Sequence, residues 1–207
     1  MTVVHLMRHG EVHNPQGVLY GRLPGYVLSE RGHEHARAAA DYLRGRDVTV
    51  LLSSPLERAQ QTAKPLADDL GLPVVLDERL IEADNRLQGR RVGSPRALLG
   101  DPRVWVHLRN PLTPSWGEPY VAIAERMMQA VRAAAEAADG HEAVCVSHQL
   151  PIVTVRRLAE GKRLFHDPRR RQCALGSITS LTLDGRDIVD VEYAQPSGSA
   201  SGGGVGA

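Results

Sequence analysis

The chain has few cysteines and almost no net charge, and each shortage excludes a class of protein. Its 207 residues include two cysteines, Cys145 and Cys173, which form neither a disulfide framework nor a CxxC metal motif. The 25 basic and 24 acidic residues nearly cancel, so the overall charge does not favour nucleic acid or a membrane surface. An anionic ligand would have to be held by cations that the fold brings together locally.

Long apolar runs are also missing. No segment has the length needed to span a bilayer, and the N-terminus lacks the basic and apolar regions of a signal peptide. We therefore expect a cytoplasmic protein with no membrane partner and no nucleic-acid partner; the sequence makes no prediction of the oligomeric state. Gly, Ser and Ala dominate after residue 194, which predicts one domain over residues 1–194 and a disordered tail over residues 195–207.

Short β-branched runs alternate with longer helical patterns along the chain. This alternation predicts a single-domain α/β fold, a three-layer αβα sandwich with a mainly parallel sheet and helices on both faces. Residues 78–119, rich in Arg, Gly and Pro, are predicted to be an insertion with a short helix after Pro95. Strands are predicted at 3–7, 48–52, 73–76, 143–146, 178–183 and 188–193, and helices at about 29–44, 56–70, 119–138 and 151–158.

Polar side chains follow three of the predicted strands at the point where each strand ends. Arg8 and His9 follow the first strand, Arg58 lies just after the turn that follows the second, and His148 follows a later strand. Because the carboxyl ends of parallel strands meet at one edge of a sheet, these groups should converge. Arginine matches phosphate oxygens and imidazole can attack phosphorus. The pattern predicts a cleft for a phosphate ester.

The same residues carry a family resemblance. The chain resembles the histidine phosphatase superfamily, also called the phosphoglycerate mutase-like family, over nearly its whole length except residues 86–118 and the tail. The matching stretches are LMRHGE at 6–11, GRLPG at 21–25, LSERG at 28–32, SSPLERAQQTA at 53–63, Glu82, VSH at 146–148 and GSIT at 176–179. Several separated motifs in the right order make this resemblance specific.

The resemblance implies a role for each catalytic candidate. His9 would attack phosphorus and carry the phosphoryl group, while Arg8, Arg58 and His148 would hold the nonbridging oxygens. Glu82 would protonate the leaving oxygen and later take a proton from the attacking water. No metal or other cofactor is required, because the arginines supply the positive charge. The resemblance thus implies a phosphomonoester hydrolase of the histidine acid phosphatase type.

Four further residues are candidates for binding the substrate. The resemblance implies that Asn14 donates a hydrogen bond to the phosphate, although it fits equally well an Asx bond within its own turn. Gly21 and Arg22 belong to the GRLPG stretch, and Arg22 fits both the mouth of the site and the solvent. Gln149 stands where many members have glycine, so the backbone around the second histidine is expected to differ.

The sequence departs from the family around the proposed acid, and the activity has rivals. Because Gly and Trp residues common there are replaced, Asp84 is a second candidate for the proton donor. The first rival activity is that of a mutase, which transfers the phosphoryl group within the substrate; the second is a noncatalytic phosphate-binding module. The short segment between Glu82 and His148 favours a phosphatase. We expect the substrate, a small phosphorylated metabolite, to be selected by residues 86–118.

Two basic features are interpreted as structural. His33 and His35 lie two positions apart on a predicted helix, where they would point to different faces, so we interpret both as solvated surface residues rather than metal ligands. The basic residues Lys162-Arg163 and Arg169-Arg170-Arg171 fit two interpretations. We favour a solvated loop over a contact to an anionic substrate.

Overall fold

The computed structural model describes residues 1–91 and 117–198. Within these ranges the predicted elements are confirmed, and their ends lie within two residues of the expected positions; the helix expected after Pro95 lies outside them. Residues 195–198 form a turn, in which the Gly198 N–H donates to the Gln195 carbonyl at 3.1 Å. The strands are β1 (Thr2–Arg8), β2 (Val48–Ser53), β3 (Val75–Leu76), β4 (Glu142–Ser147), β5 (Ile178–Asp184) and β6 (Asp187–Ala194). The helices are α1 (Glu30–Leu43), α2 (Glu57–Leu70), α3 (Tyr120–Ala138) and α4 (Gln149–Ala159), with 3₁₀ turns at Glu78–Leu80 and Pro168–Arg170.

One sheet of six strands forms the centre of the molecule, in the order β3-β2-β4-β1-β5-β6. The pairs β2–β3, β2–β4 and β1–β4 are parallel, whereas β5 runs antiparallel to both β1 and β6. The predicted mainly parallel α/β fold is confirmed. The antiparallel β5 and β6 form the hairpin expected at the end of the domain.

Two apolar clusters cover the two faces of this sheet. Alternate side chains along β4 divide between them, with Cys145 on one face and Val144 and Val146 on the other. Helix α3 packs on the Cys145 face and helices α1 and α2 on the opposite one, which confirms the three-layer arrangement. Cys145 is a buried apolar residue as expected, and burial raises the pKa of its thiol to about 12.

Strand register places the predicted site at one edge. Arg8 pairs with Ser147 in adjacent parallel strands, so the next residues, His9 and His148, leave the sheet side by side. Ser53 pairs with Val146, which places the start of α2 at the same edge. The order of β2, β4 and β1 in the sheet therefore brings together residues that are far apart in the chain.

Close packing of two loops explains two of the glycines in the motifs. The loop after β1 crosses the start of α1 so closely that a Cβ on Gly10 would collide with the Gly32 carbonyl, and one on Gly32 with the Glu11 carbonyl. Ser29 caps α1 by accepting a hydrogen bond from the Gly32 N–H at 3.0 Å. The fixed approach of these backbones sets the direction in which the chain leaves β1.

This packing also corrects one expectation. The prediction that His33 and His35 both lie in solvent is wrong for His35, which is buried because the loop after β1 covers it. Its Nδ1 accepts a hydrogen bond from the Glu11 N–H at 3.4 Å, and burial lowers its pKa. His33 is half-buried. Over the described residues, no helix is long and apolar enough to cross a membrane.

Candidate active site

His9 lies at the end of β1 with no exposed surface. Its Nδ1 is 2.8 Å from the Gly10 carbonyl oxygen, and this contact requires the ring to carry its proton on Nδ1. Nε2 is buried and has no hydrogen-bond partner among the described residues. Burial, reinforced by Arg58 and Arg8, holds the pKa of His9 well below its usual value. The ring is therefore neutral, with a lone pair on Nε2.

The second histidine lies beside the first. The ring centroids of His9 and His148 are 5.1 Å apart, close enough for both imidazoles to contact one tetrahedral anion. His148 Nε2 lies 2.8 Å from Ser54 Oγ, and its Nδ1 lies 3.3 Å from Arg58 Nη2. Burial lowers the pKa of His148 well below its usual value, and Arg58 and His9 add to this effect. The structure thus brings the two histidines together as the strand register requires.

Two buried guanidinium groups flank the histidines. Arg8 Nη1 donates to the Cys173 carbonyl oxygen at 2.6 Å. Arg58 Nη2 donates to the Gly21 carbonyl oxygen at 2.7 Å, and its guanidinium lies 4.7 Å from the centre of the Tyr20 ring. Neither arginine has a carboxylate within 4.0 Å in the described part of the chain. Buried cations without counterions are costly, so their arrangement favours an anionic ligand.

Glu82, the proposed acid, follows the first 3₁₀ turn and is buried. Its Oε1 accepts a hydrogen bond from the Ala83 N–H at 2.8 Å. Burial raises its pKa, although Arg58 and Arg8 oppose the shift, so its protonated form persists to higher pH than that of an ordinary glutamate. Asp84 is exposed. The geometry therefore favours Glu82 over Asp84 as the proton donor.

Unpartnered polar atoms are concentrated at this edge of the sheet. Five buried side-chain nitrogen or oxygen atoms among the described residues lack a hydrogen bond, and four of them belong to the predicted catalytic residues. Native structures satisfy most buried polar groups, so such a concentration indicates a ligand site. The five atoms are Arg8 Nε, His9 Nε2, Arg58 Nε, Glu82 Oε2 and Thr179 Oγ1.

Asn14 and Gly21 lie in the loop between β1 and α1, which borders the site. Asn14 bonds with both ends of its amide to the Val18 backbone, at 2.8 and 3.0 Å, which is the turn-stabilising alternative. It also lines a cavity of ≈ 410 Å³ together with Arg8, so a contact to phosphate stays a prediction. Gly21 adopts a positive φ of 45° and contributes its carbonyl to Arg58. This contact helps to orient the guanidinium of Arg58, and a contact of Gly21 to the substrate stays a prediction.

Arg22 and Gln149 contact residues that surround the site. Arg22 Nε donates to the Glu82 carbonyl oxygen at 2.7 Å, and its Nη2 forms an ion pair with Glu118 at 3.0 Å. Arg22 therefore braces the backbone of Glu82 instead of extending into solvent. Gln149 Oε1 accepts a hydrogen bond from Arg171 Nη1 at 3.3 Å. Arg171 itself is half-buried, unlike its neighbours in the basic run, which corrects the favoured interpretation at that residue.

Three supporting residues were not singled out from the sequence. Thr62 Oγ1 accepts a hydrogen bond from the Gly10 N–H at 3.0 Å and donates to the Arg58 carbonyl at 2.7 Å. Ser54 contacts His148, and Tyr20 lies under Arg58. Ser54 and Thr62 lie within the SSPLERAQQTA stretch. Because the family resemblance extends over this whole stretch, it is the signal that could have identified them. Within residues 1–91 and 117–198, no group of three or more His, Cys, Asp or Glu residues is placed to hold a metal ion.

Comparison with known proteins identifies the family. The model of the histidine phosphatase superfamily (branch 1) matches residues 4–195. The chain belongs to this superfamily. An uncharacterized protein of Mycobacterium tuberculosis, Rv0525, is 58% identical over 195 residues, which cover 94% of this chain and 96% of the relative. Relatives named as phosphoglycerate mutases also match, so the superfamily includes mutases as well as phosphatases.

Solved structures agree on the fold. YhfR of Bacillus stearothermophilus superposes with a TM-score of 0.78 at 23% identity, covering 91% of this chain and 94% of that protein. The mycobacterial glucosyl-3-phosphoglycerate phosphatase Rv2419c superposes with a TM-score of 0.71 at 26% identity, covering 93% and 95%. These similarities confirm the phosphoglycerate mutase-like architecture that the motifs imply.

Proposed function

We propose that this protein hydrolyses phosphomonoesters through a phosphohistidine formed on His9. The observation that carries the proposal is the buried, unprotonated Nε2 of His9, which has no partner in the described structure and lies among the cations of Arg8 and Arg58. A neutral imidazole in a cationic pocket is a nucleophile positioned for a phosphate ester.

The first step forms one bond to phosphorus, breaks another and transfers one proton. His9 Nε2 attacks phosphorus while the bond from phosphorus to the ester oxygen breaks, and Glu82 gives its proton to the departing oxygen. Arg8, Arg58 and His148 stabilise the charge on the three nonbridging oxygens in the transition state. The Gly10 carbonyl, already bonded to Nδ1, stabilises the positive ring of the phosphohistidine.

The second step returns the enzyme to its starting state. Water attacks the phosphorus of phosphohistidine and passes a proton to the Glu82 carboxylate, while the bond from phosphorus to Nε2 breaks. Inorganic phosphate leaves, His9 is neutral again, and Glu82 is reprotonated. Hydrolysis is favoured over transfer to a second hydroxyl because the segment between Glu82 and His148 is short for a mutase. The substrate is a small phosphorylated metabolite.

The decisive experiment compares phosphate release by the wild type and His9→Ala across a panel of phosphomonoesters. We expect His9→Ala to lower kcat/KM by at least about 10³-fold and to abolish acid-labile labelling, because the nucleophile is gone. His141→Ala is the matched control, since His141 is exposed at the start of β4, near the opposite edge of the sheet. A chelator should leave wild-type release unchanged.

Three results would contradict the proposal. Unchanged release by His9→Ala would reject the mechanism. Interconversion of phosphoglycerate isomers without release of phosphate would identify a mutase. Binding of phosphate without any phosphohistidine would identify a noncatalytic module.

A further inference from the structure

A cavity of ≈ 170 Å³ opens beside the proposed acid. Its lining includes Glu82, Tyr120, Leu150 and Arg171. On the proposed function, Glu82 protonates the leaving oxygen, so the group attached to that oxygen lies in this cavity. The residues that line it therefore select the leaving group.

The arginines around this cavity differ in whether a carboxylate lies next to them. Glu118 is held by Arg126 through hydrogen bonds of 2.7 and 3.0 Å and by Arg22 at 3.0 Å, so both of these guanidinium groups have a carboxylate partner. Arg171, by contrast, has no carboxylate within 4.0 Å among residues 1–91 and 117–198. Arg171 is thus a cation of the cavity wall that forms no ion pair with a described side chain.

Its two neighbours in sequence show that this placement is specific. Arg169 and Arg170 are exposed, and Arg169 pairs with Asp167 at 2.8 Å. Arg171 instead turns inward, and burial lowers the pKa of its guanidinium. A lone charged side chain would remain in solvent unless the structure held it inside.

Two neutral acceptors hold Arg171 in this position. Its Nε donates to His166 Nε2 at 3.0 Å, and its Nη1 donates to Gln149 Oε1 at 3.3 Å. His166 Nδ1 lies 2.7 Å from the Leu164 carbonyl, which requires the proton on Nδ1 and leaves Nε2 as an acceptor. These contacts fix the fork of the guanidinium, and its Nη2 makes no hydrogen bond within the described chain.

Hydrogen bonds through Gln149 also link Arg171 to the phosphate site. The Cys173 carbonyl accepts from Arg8 Nη1 at 2.6 Å and from Gln149 Nε2 at 3.4 Å. Gln149, which replaces the glycine common in the superfamily, therefore connects the guanidinium groups of Arg8 and Arg171. The two cations are held at a fixed separation, as a ligand with two anionic groups requires.

We propose that Arg171 is a second anion site on the leaving-group side of the cleft, so that preferred substrates carry a carboxylate or a second phosphate besides the phosphoryl group that is transferred. This inference rests on the proposed function and specifies its substrate class. The fixed guanidinium fork suits either anion, because both present oxygens for paired hydrogen bonds.

The test uses three esters of equal chain length: n-propyl phosphate, 3-phosphooxypropanoate and propane-1,3-diol bisphosphate. Arg171→Met removes the charge and keeps most of the volume, Arg171→Lys keeps the charge, and Arg170→Met is the matched control. We expect Arg171→Met to lower kcat/KM about 10- to 100-fold for one or both of the esters with an anionic tail. For n-propyl phosphate the change should stay below about 3-fold, because that tail makes no ionic contact with Arg171.

The controls separate an anion site from an effect on the acid. If Arg171 acted only through the pKa of Glu82, Arg171→Met would change kcat/KM equally for all three esters and would shift the pH profile of kcat/KM. That result would overturn the inference, as would equal wild-type kcat/KM for the three esters. Arg171→Lys should recover part of the preference, and Arg170→Met should change nothing. The ester that responds identifies the anion as carboxylate or phosphate.

Failure of the inference is distinguishable from failure of the proposed function. Wild-type turnover of p-nitrophenyl phosphate that His9→Ala abolishes, without any preference for anionic tails, would remove only the role of Arg171. Absence of turnover with every ester, p-nitrophenyl phosphate included, would reject both. Turnover of n-propyl phosphate by Arg171→Met reports that the variant is folded.

Discussion

Two buried histidines lie four positions apart, His5 within β1 and His9 directly after it, and their hydrogen-bond partners differ. His5 Nδ1 lies 2.8 Å from Ser180 Oγ, and its Nε2 lies 2.9 Å from Glu142 Oε2. His9 has its Nδ1 bonded to a backbone carbonyl, while its Nε2 is unpartnered among the described residues. Both side chains are fully buried, so the difference lies in their partners and not in their exposure.

The arginines near the two histidines differ in the same way. Arg46 holds Glu142 through hydrogen bonds of 2.7 and 3.0 Å, so the polar cluster around His5 is paired. Arg58 has only neutral partners among the described side chains and carbonyls. An unsatisfied buried polar group costs about 1–3 kcal/mol. The cluster at the edge of the sheet lowers stability, and the ligand that it binds would supply the missing contacts.

The largest expected effect that sharpens this comparison comes from the arginines. We expect Arg58→Met to lower kcat/KM by about 10²- to 10³-fold, because a cation that stabilises the transition-state charge is lost. Its free energy of unfolding should stay level or rise, since a buried cation without a counterion is removed. Arg46→Met should show the reverse pattern: unchanged kcat/KM with a lower midpoint of urea unfolding. Loss of stability in Arg58→Met with activity retained would break the comparison.

A smaller effect is expected at the acid. Glu82→Gln should slow alkyl phosphates by about 10²-fold and p-nitrophenyl phosphate by less than about 10-fold, since a good leaving group needs no proton. Asp84→Asn is the matched control, and it should leave both rates unchanged. Equal slowing of both esters by Glu82→Gln would assign the acid role elsewhere, first to Asp84.

The pH profile provides a second measurement at the same residue. Burial lowers the pKa of His9, which must be neutral, and raises the pKa of Glu82, which must be protonated. Wild-type kcat/KM should therefore fall at low pH as His9 gains a proton and at higher pH as Glu82 loses one. Glu82→Gln should lose the high-pH limb and keep the low-pH limb. A high-pH limb that survives in Glu82→Gln would show that another group is titrating.

The convergence of the catalytic residues was predictable because it follows from topology. Once β1, β2 and β4 are identified as parallel, Arg8, His9 and His148 must meet at their carboxyl edge. The turn after β2 brings Arg58 to the same edge, and the resemblance added Glu82, which follows the 3₁₀ turn after β3. Each of these residues is placed by a regular element or by a motif of fixed spacing, so local patterns were sufficient.

The residues that were misplaced depend on contacts between distant segments. His35 is buried because the loop containing Glu11 crosses α1, which helical spacing alone does not reveal. Arg171 differs from Arg170 only through its tertiary contacts to Gln149 and His166. A basic run in an irregular loop has no periodicity from which an inward position could be predicted.

The smallest expected effect tests the paired side of the comparison. His5→Leu should lower the free energy of unfolding at pH 7.5 by about 1–2 kcal/mol, because Ser180 loses a buried partner and Glu142 one of two. Activity should change less than about 2-fold, since His5 lies away from the reacting groups. Urea unfolding of the wild type and of His5→Leu measures the change in stability, and hydrolysis of p-nitrophenyl phosphate measures the change in activity.

The stability of the wild type and that of His5→Leu should respond differently to acid. Burial lowers the pKa of folded His5, although Glu142 opposes the shift, so the unfolded chain binds this proton more readily. The contribution of neutral His5 to stability is complete above the ordinary histidine pKa of about 6.5 and is lost as the pH falls through the folded value. The stability gap between wild type and His5→Leu should therefore narrow from pH 7.5 to pH 5. A gap that widens would mean that the Glu142 contact outweighs burial and that His5 is held in its charged form.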